Sequence, residues 1–174
     1  KKGSNADPNK LSQYFNLQLN LKIALNSAYG ALGNQWFRYF DVRNAEAVSV
    51  AGQLSIRWAE RAVNEYLNEL LETKNKDYVL ASDTDSLYVT LDSLVEKVGL
   101  TDTKKIINFM DKVCDGKIQD VIDKCYGDLA EYINAFEQKM VMKREVLADV
   151  GIWTGKKHYI LNVHNSEGVE YEKP

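Results

Sequence analysis

The chain has little of what marks several common protein classes. Only two of its 174 residues are cysteine, Cys114 and Cys125, and no histidine lies near them. That is neither a zinc spacing nor a disulfide framework, and it predicts a reduced, intracellular chain. No apolar run is long enough to span a bilayer, and the leading KKGSNADPNK lacks the apolar segment of a secretory signal, so no membrane role is expected. Nor is there a basic excess: 22 Lys and Arg face 25 Asp and Glu, a net charge of −3. That balance argues against broad non-specific nucleic-acid binding, and any anion binding must come from local clusters. The sequence shows no internal repeat and no low-complexity tract.

What is present is an ordinary globular composition, with 45% hydrophobic and 27% charged residues. A chain of this length buries roughly 70% of its unfolded surface, enough for a core without staples. Residues 1–10 read as a polar, disordered or extended lead-in. From about Leu11 the pattern turns helical, with Leu17, Leu21, Ala24, Leu25 and Ala28 on one face, and Gly30 and Gly33 marking an end or a break. The aromatic stretch NQWFRYFDVRN (34–44) reads as a connection. Asn44 is the predicted N-cap of a long helix to about Glu72, whose apolar stripe is Ile56, Ala59, Val63, Tyr66, Leu67 and Leu70. Two β-type runs, 78–81 and 87–91, then flank Asp83-Thr84-Asp85-Ser86, the pattern of a hairpin with an acidic tip. Helices follow from Leu94 to about Gln138, broken near 99–102 and around Gly116 or Gly127. Strands are expected over 140–150 and 156–163, with a short last run. This order predicts an α+β fold, long helices packed on an antiparallel sheet.

Four stretches could carry chemistry. If Asp83 and Asp85 lie on a strand, the i, i+2 spacing aims both carboxylates at one volume, where a hard divalent cation would offset their repulsion. The plainer account is a turn, since Asp, Thr and Ser bond their own backbone. On the first helix Lys22, Asn26 and Tyr29 share a stripe that ends at Gly30, suited to a phosphate chain, a sugar and a base; a solvated helix face accounts for them too. In TGKKHY, Lys157 and Tyr159 would share a strand face and could meet a nucleic-acid backbone, although edge strands also carry lysines for protection. Glu145, after Lys143 and Arg144 in MVMKREV, is a strand carboxylate of interest only if that strand lies beside the hairpin.

Taken in order, these stretches resemble one family, the family B (α-like) DNA polymerases. KIALNSAYGALGN resembles motif B, K-x-x-x-N-S-x-Y-G, on the fingers helix, and ASDTDSLYV resembles motif C, Y-G-D-T-D-S, on the palm hairpin. KKHYIL resembles the K-K-x-Y strand, and MVMKREV the palm strand whose glutamate lies near the metals. Ala81-Ser82 stands where the family usually has Tyr-Gly, a departure that leans toward the T-even-type bacteriophage branch, as does GNQWFRYFDVRNAEAVSVAGQ. The resemblance covers roughly residues 11–165.

The resemblance implies a domain layout of fingers helix and connection over 11–43 and C-terminal palm over 44–174. It implies that Lys22 contacts the triphosphate of an incoming dNTP, that Asn26 lies near triphosphate or sugar, and that Tyr29 and Gly30 pack on the nascent base pair, with Thr84 also near the nucleotide. Asp85 would ligate catalytic metal, Asp83 directly or through water, and Glu145 would act on the metals from behind their ligands. Lys156, Lys157 and Tyr159 would hold primer–template DNA. Two Mg²⁺ ions would activate the primer 3′-hydroxyl and stabilise leaving pyrophosphate. The family's motif A, D-x-x-S-L-Y-P-S, which supplies a further metal-binding aspartate, does not occur here. The implied enzyme is therefore incomplete, a fragment or a split subunit needing a second chain or an N-terminal part with exonuclease and motif A. Its implied place is the cytoplasm of an infected bacterium. Two rivals stay open: a D-x-D glycosyltransferase, and a non-catalytic DNA-binding or subunit-interaction module.

Overall fold

The computed structural model describes residues 7–155 and 157–166, together with the backbone of 169–170. The chain divides into two compact units, Lys1–Ala51 and Gly52–Pro174, and the division falls inside a helix.

In the first unit, α1 (Pro8–Leu32) starts earlier than the apolar spacing indicates, because Asp7-Pro8 is itself a start signal. The Asp7 side chain accepts from the Asn9 N–H at 3.0 Å, and proline at the first helical position loses no hydrogen bond. Residues 8–10 are thus helical rather than part of a lead-in; 1–6 lie outside the described residues. The helix passes through Gly30, and Gly33 caps it at φ −86, in the right-handed region. No residue of α1 is buried, and the stripe of Leu17, Leu21 and Leu25 is open to solvent. After the aromatic turn comes α2 (Val42–Leu71), whose start is set by Asp41 rather than Asn44. Asp41 Oδ1 accepts from the Arg43 N–H at 2.9 Å, and its Oδ2 holds the Arg43 guanidinium at 3.0 Å. That guanidinium holds the Asp41 carboxyl below the usual carboxylate range.

The second unit is built on the remainder of α2. Ile56, Ala59, Val63 and Leu67 fall at helical spacing and are buried, while Leu70, one residue from the helix end, stays exposed. Of these, Ala59, Val63 and Leu67 pack with Tyr78 and with Ile118, Ile122, Cys125, Tyr126 and Leu129. Each large apolar side chain so buried contributes about 1.5–3 kcal/mol against exposure. A short helix α3 (Asp92–Val98) ends at Gly99 with φ 69, and Asp102 caps α4 (Thr103–Val113) by accepting from the Lys105 N–H at 3.0 Å. Gly116 does not break the chain: α4 runs through a π-helical turn, Cys114–Ile118, into α5 (Gln119–Tyr132), which also contains Gly127. Burial pushes both thiols, Cys114 and Cys125, up to about 11, as expected of structural rather than reactive cysteines.

The architecture is α+β with antiparallel pairing, but the expected single sheet is two. One is the hairpin β1 (Val79–Asp83) and β2 (Ser86–Val89), whose Leu87 and Val89 pack on the helical core. The other is β3 (Val146–Gly155), β4 (His158–Ser166) and β5 (Val169–Glu170), in that order. Pairing starts at Val146 rather than near Met140 because the preceding segment is tied to helices by side chains. Gln119 Nε2 donates to the Met142 carbonyl at 2.8 Å, and Arg144 turns inward to Asp111, Asp115 and Asn165. Period-2 alternation survives in that segment, with Met142 and Arg144 half-buried and Val141, Lys143 and Glu145 exposed.

Candidate functional site

The acidic element is both strand end and turn. Asp83 closes β1 opposite Ser86, leaving Thr84 and Asp85 as a two-residue loop. Thr84 has φ 51, and the Asp85 N–H donates to the Asp83 carbonyl across it. A positive φ at the first loop residue matches the right-handed twist of the strands it joins. For a β-branched residue the left-handed region is strained, by roughly 1–2 kcal/mol. Around the strain the loop is bonded: Thr84 Oγ1 donates to Asp83 Oδ1 at 3.0 Å, and Ser86 Oγ donates to the Asp83 carbonyl at 3.1 Å. The i, i+2 strand argument therefore does not hold for the pair, since Asp85 is a turn residue. Asp83 is half-buried and Asp85 exposed.

A cleft of about 290 Å³ opens beside this tip, lined by Ala81, Ser82, Asp83 and Tyr88 from the first hairpin and Trp153, Gly155, Lys157 and Tyr159 from the second. Lys157 and Tyr159 do face one volume, yet not by strand alternation. Gly155 pairs with His158, and Lys157 lies in the turn between them at φ 62. Lys156 lies outside the described residues. Tyr88 is the ring that joins the two hairpins, edge-on to Trp153 at 5.4 Å and to Tyr159 at 5.3 Å. The neighbouring Tyr159 side chain holds the Tyr88 phenol above its ordinary value. Glu145 is exposed, precedes β3 and is not among the cleft-lining residues.

The donors at the tip are all hard oxygens. Two carboxylates suit Mg²⁺, which keeps water and takes one or two carboxylates plus substrate phosphates; a tetrahedral zinc site would want sulfur or nitrogen. Among the described residues no three His, Cys, Asp or Glu side chains converge, so Asp83 and Asp85 would hold such an ion only in part.

In the first unit Lys22, Asn26, Tyr29 and Gly30 lie exposed along α1. Helical spacing puts the three side chains within about 60° of one another around the axis. The Tyr29 hydroxyl is 2.6 Å from Ser49 Oγ on α2, and the space a Cβ at Gly30 would enter is open.

A family model described as DNA polymerase family B matches residues 2–146, which is most of the chain. The chain belongs to DNA polymerase family B. It is 44% identical over 168 residues to the DNA-directed DNA polymerase of Escherichia phage RB69 and 42% identical to that of Enterobacteria phage T4, in each case over 90% of this chain and 19% of that protein. A DNA polymerase beta of African swine fever virus (isolate Pig/Kenya/KEN-50/1950) is 30% identical over 149 residues, 80% of this chain and 12% of that protein. The chain thus spans about a fifth of the length of its phage relatives, at 19%. The motifs that resembled a family B polymerase therefore lie in a family B chain. Trp153 and Gly151, by contrast, carry no motif, and Tyr88 lies in ASDTDSLYV but outside its D-T-D-S core. Only the aromatic enrichment of the runs around them signalled them, and a strand core explains that equally well.

Proposed function

We propose that this chain supplies the metal-binding hairpin, the triphosphate-binding helix and the primer-holding hairpin tip of a template-directed DNA polymerase that adds dNTPs to a primer 3′-hydroxyl. One observation carries the reading: a carboxylate from an Asp-Thr-Asp-Ser tip, Asp83, shares a cleft with the lysine and tyrosine of Lys-Lys-His-Tyr. In this reading Asp85 ligates metal and Asp83 does so directly or through water, with Glu145 acting from outside that set and Thr84 lying near the nucleotide. Two Mg²⁺ bound there supply activation of the attacking hydroxyl and charge neutralisation of the leaving pyrophosphate. Lys22 places a positive charge where charge develops on the transferred phosphoryl group, and Asn26, a helical turn later, bonds triphosphate or sugar. Tyr29, its hydroxyl engaged by Ser49, presents a ring beside bare Gly30 to the new base pair. Lys156 and Lys157 meet primer–template phosphates and Tyr159 packs on the sugar edge.

The reading also holds that the chain does not polymerise alone. Among the described residues two carboxylates are one short of the set, and the α1 leucines are exposed. A preceding part of the same protein, or a second chain, would bring exonuclease and motif A, in the cytoplasm of an infected bacterium. The shortage equally favours a second reading, a non-catalytic DNA-binding or subunit-interaction module. Nucleotide incorporation on a primed template, with Mg²⁺ or Mn²⁺, separates the two. The polymerase reading expects none with the chain alone and incorporation when a polypeptide bearing motif A is added. Primed DNA bound but not extended in either case supports the module instead.

A further inference from the structure

Among the described residues no strand of the β1–β2 hairpin pairs with a strand of the β3–β4–β5 sheet, so no backbone hydrogen-bond ladder there fixes the lysine-bearing tip relative to Asp83. Side chains must do it. Tyr88, on β2, sets its ring edge against both Trp153 and Tyr159, and the latter two rings lie 6.4 Å apart. Trp153 in turn rests on Gly151, where a Cβ would fall 2.6 Å from Trp153 Cη2 and 2.8 Å from Leu161 Cδ2. Bare backbone at that position is what lets the indole lie flat along β3. Gly151 also follows an irregularity in the β3–β4 register, where the strand bends.

We propose that Tyr88 and Trp153, seated on Gly151, are positioning residues: they lock the β3–β4 tip onto the metal-binding hairpin so that Lys157 and Tyr159 face Asp83. The inference rests on the reading of this cleft as the place where the polymerase engages the primer end. Tyr88 and Trp153 each contribute a ring to the lock, and Gly151 the absence of a side chain. The lock acts on DNA through Lys157 and Tyr159 and leaves the nucleotide-binding stripe of α1 untouched.

The test is steady-state primer extension by the complete polymerase, this chain together with the polypeptide bearing motif A. Tyr88→Leu, Trp153→Leu and Gly151→Ala should each raise the KM for primer–template about three- to tenfold, the worth of a ring contact, with the KM for dNTP unchanged. A loss of folded protein alone would lower kcat and leave both KM values as they were. Two double variants sharpen the test. Tyr88→Leu with Trp153→Leu should fall short of additivity, because both remove the same ring contact, and Trp153→Leu should absorb most of the effect of Gly151→Ala, because two of the three close contacts of an added Cβ are indole atoms and the third is Leu161. An unchanged KM for primer–template in Tyr88→Leu and Trp153→Leu, or full additivity in both pairs, overturns the positioning role. A parent that extends no primer removes instead the reading of the cleft on which the role stands.

Discussion

Replacing Arg144 should cost more stability than any other single ion-pair change in the second unit. Its side chain is only 10% exposed, and it reaches Asp111 and Asp115 through two ion pairs and Asn165 through a hydrogen bond of 3.1 Å. These bonds fasten the segment leading into β3 to the helix that runs from α4 through the π turn. Breaking a fully buried pair costs about 3–5 kcal/mol, because the partner is left charged and unpaired. Here the partners are wetter, with Asp111 at 33% and Asp115 at 58% exposure, and Asp111 keeps Asn165 Nδ2 at 3.5 Å. Discounting for solvent brings Arg144→Met to roughly 2–3 kcal/mol. For a chain of this size that lowers Tm by roughly 4–12 °C. Urea unfolding read by circular dichroism gives the number directly. Asp115→Asn serves as the control and should cost less than about 1 kcal/mol, since its carboxylate is solvated. An Arg144→Met midpoint indistinguishable from the parent's, or an Asp115→Asn loss as large as that of Arg144→Met, would refute the reasoning.

Two further changes probe the tips. Thr84→Gly should leave stability within about 1 kcal/mol of the parent, because relief of the left-handed strain offsets glycine's greater freedom when unfolded, whereas Thr84→Pro, fixed near φ −65, should cost about 3 kcal/mol; urea midpoints of both decide. Asp149 on β3 accepts from Asn162 Nδ2 at 2.8 Å, and the His164 imidazole beside it, at 3.1 Å, holds its carboxyl below the ordinary 3.8. A depressed carboxyl stabilises fully above its unfolded value and loses that contribution as pH falls through its folded one. The Tm gap between parent and Asp149→Asn should therefore shrink as pH falls below about 4; a gap unchanged from pH 4 down to pH 2 would contradict the pairing.

How far the sequence could be read depends on what kind of signal each feature leaves. The α2 stripe was legible because Ile56, Ala59, Val63 and Leu67 repeat at helical spacing and do meet a core. The hairpin was legible from its flanking β runs, but the loop conformation was not. A threonine at φ 51 has no sequence mark, so two aspartates in adjacent alternate positions read as strand neighbours when one is a turn residue. Likewise Lys157 and Tyr159 reach one cleft through a tight turn that alternation could not foresee. Period 2 over 140–150 was real, yet Met142 and Arg144 spend it on helices rather than on a neighbouring strand. The stripe of α1 was legible as a pattern, yet its leucines are open to solvent. Pattern reports what a face could bury, whereas cover for Leu17, Leu21 and Leu25 is not among the described residues. Asp7-Pro8 and Asp41 were readable caps passed over in favour of the first apolar residue and of Asn44. The joining role of Tyr88 is tertiary, and only coordinates bring it to view.

The central claim is that Asp83 and Asp85 hold catalytic metal, and incorporation of one dNTP on a primed template by the complete polymerase tests it most directly. Asp85→Asn should lower the single-turnover rate by several kcal/mol of lost charge stabilisation, about a thousandfold or more, with primer–template affinity and urea midpoint close to the parent's. An Asp85→Asn enzyme that incorporates at the parent's rate across a Mg²⁺ titration would contradict it.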